Sequence, residues 1–124
     1  MRSALDFSAT VRSGARSGRR NVVLYARARG AGQAGEPTRF GFIVSKAVGN
    51  AVARNLVKRR LREVAAQSLA ERGTGFDVVV RALPPAAAAG WDELSTEARA
   101  ALEAACRKAA GTPAAGKGAG ERGR

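Results

Sequence analysis

Five of the nine residues from Arg54 to Arg62 are basic and none is acidic. At about 100° per residue on a helix, with Arg54 at zero, Lys58 falls near 40°, Arg62 near 80°, Asn55 near 100° and Arg59 near 140°. These five side chains form one polar arc. The chemistry open to such an arc is neutralisation of a polyanion, with Asn55 able both to donate to and accept from a phosphate oxygen or a 2′-hydroxyl. Ala53, Leu56, Val57, Leu61 and Val64 take up most of the remaining circle, so the helix can dock on a core while its cations face out. Arg60 alone interrupts that apolar side and is expected to snorkel past its edge. A merely solvated face normally mixes charge signs for i,i+4 pairing, whereas here the first acid, Glu63, comes after the arc has ended. That difference favours phosphate or RNA contact over plain surface.

Side-chain catalysis is poorly supplied. The chain has no histidine, which removes the usual general base and the commonest metal ligand. Cys106 is the sole cysteine, so neither an intrachain disulfide nor a cysteine-built zinc site can form, and its place in an alanine-rich run predicts a small buried helix residue. Asp77, Asp92 and Glu93 do not make a recognisable metal-dependent nuclease set. Val48-Gly49-Asn50 delivers the chain to a helix N-terminus, where a phosphate can bind, but no Gly-Lys-Ser/Thr follows and a nucleotide-hydrolysing loop is not supported.

Charge points the same way. With 124 residues the chain has room for one modest core, and its formal charge is +12, from 22 Lys and Arg against 10 Asp and Glu. Self-repulsion of that size persists because a polyanion relieves it, and nucleic acid is the first candidate. No apolar run approaches the roughly 18 residues needed to span a bilayer, and no signal peptide opens the chain, so no membrane partner and a cytoplasmic location are expected. The N-terminal third repeats the bias, with Arg2, Arg12, Arg16, Arg19, Arg20, Arg27 and Arg29 against Asp6 alone.

The elements that must position these residues follow from periodicity. Leu5, Phe7, Ala9 and Val11 are spaced for a short helix from Ala4 to about Val11, interrupted by Ser13-Gly14 and Ser17-Gly18. Asn21 to Arg29 alternates as a strand, Val22, Leu24 and Ala26 on one side and Val23, Tyr25 and Arg27 on the other. Gly30 through Thr38 reads as a flexible connection. Phe40 to Ser45 is a second strand with Phe40, Phe42 and Val44 half-buried on one face. Asn50 caps a helix running to about Glu71, and Gly73 and Gly75 end it. Phe76 to Ala82 is a strand whose valine run predicts a central position. Trp91 anchors a last amphipathic helix to about Ala109, with Leu94, Ala98, Ala101, Leu102, Ala105 and Cys106 as its stripe. Residues 1–110 are thus expected to form a single RNA-binding domain, and residues 111–124 a disordered basic tail rich in Gly and Ala. Phe7 and Tyr25 have two open roles: ordinary core residues or, if Tyr25 lies on an open sheet face beside the basic helix, a platform for an unpaired base.

The run from Phe40 through Ser45-Lys46-Ala47-Val48-Gly49-Asn50 to Arg54-Asn55, followed by Lys58-Arg59 and Arg62, resembles the signature of the protein subunit of bacterial ribonuclease P. The likeness extends more weakly to Asp6-Phe7, Gly14, Arg20 and Leu24-Tyr25 upstream and to Asp77 through Arg81 downstream. It implies an α+β fold, an α-β-β-β-α-β-α two-layer sandwich like the second domain of ribosomal protein S5, with the basic helix in a left-handed β-α-β crossover, against the usual preference. Three of its four strands are legible here, and the fourth is expected near Phe40 or in the connection before it. The resemblance also implies an endoribonuclease holoenzyme whose RNA subunit, holding most of the Mg2+, removes the 5′ leader of precursor tRNA. The chain itself would supply no catalytic side chain, no metal ligand and no small-molecule site. Its partners would be ribonuclease P RNA and precursor tRNA. Carried over by position, Arg54, Asn55, Lys58, Arg59 and Arg62 would contact RNA, Phe7, Val11 and Tyr25 would line the leader cleft, and Ser45 and Lys46 would stand at its edge. Two positions depart from the pattern: Leu56 stands where an Arg is usual, and Val11 where an aromatic is common. Members also carry a short basic stretch before the first helix, so the resemblance leaves two expectations open: that this chain begins late, or that its start codon is misassigned. The alternative from the residues alone is a ribosome-associated or general RNA-binding protein without a catalytic role. A protein nuclease acting alone and a helix-turn-helix DNA binder fit less well, since strands flank the basic helix.

Overall fold

A computed structural model describes residues 7–29, 35–72 and 75–111. In chain order these form α1 (Phe7–Ser13), β1 (Ala15–Gly18), β2 (Val22–Ala28), β3 (Arg39–Ile43), α2 (Ala51–Arg72), β4 (Phe76–Ala82) and α3 (Trp91–Gly111). The strands make one sheet in the order β1-β2-β4-β3, with β4 parallel to β3 and antiparallel to β2, and β1 antiparallel to β2. Parallel neighbours cannot be joined by a hairpin, so the chain crosses from β3 to β4 through α2. The α+β class and the α-β-β-β-α-β-α order are those expected.

The sheet's two faces differ because side chains alternate along each strand. Val22, Leu24 and Ala26 of β2 and Val78, Val80 and Ala82 of β4 point to one face, where they meet Val57, Leu61 and Val64 of α2 and Leu94, Ala98, Ala101, Leu102, Ala105 and Cys106 of α3. All are buried, the cysteine included. Phe40 and Phe42 pack half-buried on the same face, their rings stacked with centroids 6.5 Å apart, and Trp91 packs against this core where α3 begins. β4 holds the central place that its valine run suggested.

Val23 and Val79 face away from that core and are nonetheless buried. They are covered by α1, which packs on β2 and β4 and turns Thr10 into the contact. The turn after α1 needs a glycine: a Cβ on Gly14 would lie 2.4 Å from the Thr10 carbonyl oxygen and 2.9 Å from that of Ala26. Gly14 N–H donates to Thr10 O at 2.8 Å, which lets β1 start against β2 without a longer loop.

β1 corrects the sequence reading. The fourth strand lies at Ala15–Gly18, where the serines and glycines suggested only an interruption, and not near Phe40 or in the connection before it. Pairing with β2, Ala15 to Ala26 and Gly18 to Val23, supplies the extended state that local propensity does not. The expected helical residues Ala4, Leu5 and Asp6, part of the 30–38 connection, Gly73, and the tail from residue 112 onward lie outside the described residues. β3 stops at Ile43, so Val44 and Ser45 lead into a 3-10 turn at Lys46–Val48. Among the described residues no helix is long and apolar enough to cross a membrane.

Candidate nucleic-acid interface

The basic arc forms as the angular spacing requires. Val57, Leu61 and Val64 of α2 are buried, Asn55, Arg59 and Arg62 are exposed, and Arg54 and Lys58 are half-buried at the boundary. Asn50 caps the helix, its Oδ1 accepting the Ala53 N–H at 2.9 Å. That oxygen occupies one of the helix-end donors, so the turn at Val48-Gly49-Asn50 serves the helix start. Gly49 adopts φ 154°, where its added Cβ would also press on Ala53 at 3.0 Å, and its carbonyl accepts a 3.1 Å hydrogen bond from Arg54 Nε. Arg60 does more than snorkel: its Nη1 donates to the Ala89 carbonyl at 3.0 Å, tying α2 to the segment before α3. Leu56 is half-buried. Val52, 78% exposed, puts an apolar patch on the side of the arc that carries Asn55 and Arg59.

Among the described residues, none of the arc's cations is held in an ion pair. Ser45 and Lys46 are exposed at the turn linking β3 to α2, and so lie where the sheet and the basic helix meet.

The second surface is the α1 side of the sheet, where pairing register fixes three rungs. The first holds Val23, Arg81 and Ile43, with Gly18 at the edge; the second holds Arg16, Tyr25, Val79 and Gly41; the third holds Arg27, Asp77 and Arg39. Tyr25 is half-buried there, and so is not a core residue of the α2 and α3 side. On α1, Phe7 and Val11 share a helical face with the sheet-facing Thr10; Phe7 remains 40% exposed and Val11 half-buried. Phe7, Val11 and Tyr25 therefore sit on one side of the sheet, among cations drawn from all four strands.

Sequence reasoning missed Arg16 and Arg81 as neighbours of Tyr25. Strand parity placed Arg27 on Tyr25's side, but only the pairing brings in the others. Asp77 was also missed. It is 1% exposed and accepts two hydrogen bonds from Arg39, Nε to Oδ1 at 2.8 Å and Nη2 to Oδ2 at 2.9 Å. Arg27 and Arg29 each approach it to 3.8 Å. The hydrogen bond to Asp77 raises the Arg39 pKa above its ordinary value against the opposing effect of desolvation.

A second polar tie anchors the start of β2. Asn21, buried, donates from Nδ2 to Glu93 Oε2 and Glu97 Oε2, each at 2.9 Å, and from its backbone N–H to Glu97 Oε1 at 3.0 Å. The tie holds α3 across the strand that carries Tyr25.

Comparison with known proteins agrees with this geometry. The family model for ribonuclease P matches residues 1–106. The ribonuclease P protein component of Pseudarthrobacter chlorophenolicus is 62% identical over 120 residues, covering 95% of this chain and 86% of its own. That of Kocuria rhizophila is 59% identical over 110 residues, covering 89% and 94%. The structure of the Staphylococcus aureus RNase P protein superposes with a TM-score of 0.63 at 27% identity, over 88% of this chain and 93% of the other. The RNase P protein of Thermotoga maritima, at 23% identity and a TM-score of 0.66, covers 82% of this chain and 90% of its own and shares the fold. The chain belongs to the family of ribonuclease P protein components.

Proposed function

We propose that this chain binds ribonuclease P RNA through the α2 arc and holds the 5′ leader of precursor tRNA on the α1 side of the sheet, while the RNA subunit carries out the hydrolysis that frees the mature 5′ end. The observation that carries this reading is the pairing of two surfaces: a helix arc whose cations make no ion pair among the described residues, and a sheet face where a half-buried tyrosine lies among arginines. Arg54, Lys58, Arg59 and Arg62 neutralise phosphates, releasing counterions as they do so. Asn55 hydrogen-bonds a phosphate oxygen or a 2′-hydroxyl. Tyr25 offers its ring to an unpaired leader base, and Phe7 and Val11 close the groove from α1. Ser45 and Lys46 bridge the two surfaces.

Magnesium is assigned to the RNA. Among the described residues no group of three or more His, Cys, Asp and Glu side chains converges, and Asp77 is taken up by arginines, so these side chains do not fit a protein-held ion. A cytoplasmic setting follows from the RNA partner; α3 takes in Gly111, and residues 112–124 are proposed to act as a basic tail outside the domain.

Reconstitution with a bacterial ribonuclease P RNA at low magnesium tests the proposal. Added protein is expected to speed cleavage of precursor tRNA and to bind it more tightly than mature tRNA. Cleavage unchanged by the protein would overturn it, and affinity indifferent to the leader would identify a general RNA-binding protein instead.

A further inference from the structure

The third rung of the α1 side holds a charge cluster that stacking at Tyr25 does not use. Asp77 is one carboxylate among three guanidiniums. Arg39 alone occupies both of its oxygens through hydrogen bonds, and the buried Nε of Arg29 has no hydrogen-bond partner among the described residues. Even with Glu36, the other acid near Arg39, the cluster keeps an excess of positive charge.

The three arginines are not equivalent. The Arg29 side chain is 6% exposed and donates from Nη1 to the Pro37 carbonyl at 2.8 Å, so it is built into the fold. Arg27 has a side chain 38% exposed, sits 3.8 Å from Asp77, and makes no side-chain hydrogen bond among the described residues. Its guanidinium is held by charge alone, with its donors unspent.

Position gives the cluster a ligand. Successive rungs on one face are about 6.8 Å apart, close to one nucleotide of extended single strand. The first rung, with Ile43, lies at the end of β3 that leads to Ser45, Lys46 and the start of α2, and the third lies at the opposite end. A strand crossing from the basic helix meets Arg81, then Tyr25, then Arg27. We propose that Arg27, presented by Asp77 beside Arg29 and Arg39, forms a second anion subsite that takes a backbone phosphate of single-stranded RNA one nucleotide beyond the base at Tyr25. This rests on the reading of the sheet face as the leader's track.

The test uses holoenzyme reconstituted with ribonuclease P RNA and precursor tRNAs whose leaders are shortened one nucleotide at a time. On long leaders Arg27→Gln is expected to weaken precursor binding about tenfold, the value of one charge-assisted hydrogen bond, and to lower the salt slope by about 0.7. Arg27→Lys should restore most of the slope. As the leader shortens, the Arg27→Gln defect should vanish one nucleotide before the Tyr25→Ala defect does. A defect of equal size on leaderless tRNA would overturn the subsite, because Arg27 would then act through the fold or the RNA subunit. So would a Tyr25→Ala defect that depends on the leader beside an Arg27→Gln variant that matches wild type at every length. If neither variant responds to leader length, the track itself is wrong, and with it the function proposed above.

Discussion

Replacing Asp77 by Asn keeps the shape of the side chain and removes the charge that gathers Arg27, Arg29 and Arg39. One of the two groups facing Arg39 becomes an amide donor opposed to a guanidinium donor, and at least one charge-assisted bond, worth about 1.5–3 kcal/mol, is lost. Breaking a buried pair costs about 3–5 kcal/mol when the remaining charge is uncompensated. The Arg39 and Arg27 side chains, 26% and 38% exposed, can recover hydration, whereas Arg29 at 6% cannot. The expected loss therefore sits at the lower end, about 3 kcal/mol, which for a domain of this size lowers Tm by on the order of 15 °C. Urea unfolding followed by far-ultraviolet circular dichroism should show the midpoint falling with an unchanged m-value. Arg27→Gln is the control, expected within about 0.5 kcal/mol of wild type. A loss below about 1 kcal/mol for Asp77→Asn, or an equal loss for Arg27→Gln, would refute the view that Asp77 fastens β3 to β4 while presenting Arg27 outward. The pair should not open from the arginine side in the neutral range. The folded pKa of Arg39 is raised, so its stabilisation is full below the unfolded value and fades only as pH climbs through the folded one.

Two further outcomes separate fold from function. Gly14→Ala forces a Cβ against two backbone carbonyls that cannot yield, Thr10 and Ala26, and is expected to cost about 2 kcal/mol in urea unfolding; a loss under about 0.5 kcal/mol would show that the turn relaxes easily. Arg59→Ala, at an exposed position with no ion pair among the described residues, should leave Tm unchanged while weakening holoenzyme assembly and lowering its salt slope by about one. An unchanged slope would make the α2 arc ordinary solvated surface.

What the sequence made legible was local. The alternation from Val22 to Ala28 and the valine run of β4 mark strands because burial writes period two, or an unbroken apolar run, into the residues themselves. The stripe of α3 is legible for the same reason, since each member from Leu94 to Cys106 has to face one core. β1 left no such mark. Ala15-Arg16-Ser17-Gly18 contains no β-branched or aromatic residue, and its strand state comes from an edge pairing with β2 that no window of sequence contains.

The candidate site divides along the same line. The α2 arc was readable because one helix carries all of it, whereas the company of Tyr25 is assembled from β1, β2, β3 and β4 by register. Asp77, taken alone, was a carboxylate without a metal-binding partner; paired, it turns Arg39 and Arg29 into fixed parts of the sheet and leaves Arg27 presented. The two surfaces therefore differ in stiffness as well as in place. Long side chains on α2, with no ion pair among the described residues, can settle on whatever phosphates an RNA offers, which suits affinity more than register. Arg27 projects from a rung that the Asp77 pairs with Arg39 and Arg29 hold in place, so the rung spacing sets which phosphate of a strand it can reach. On this reading the helix carries most of the salt dependence of binding and the sheet carries the dependence on leader length, and a variant on one surface should leave the other dependence in place.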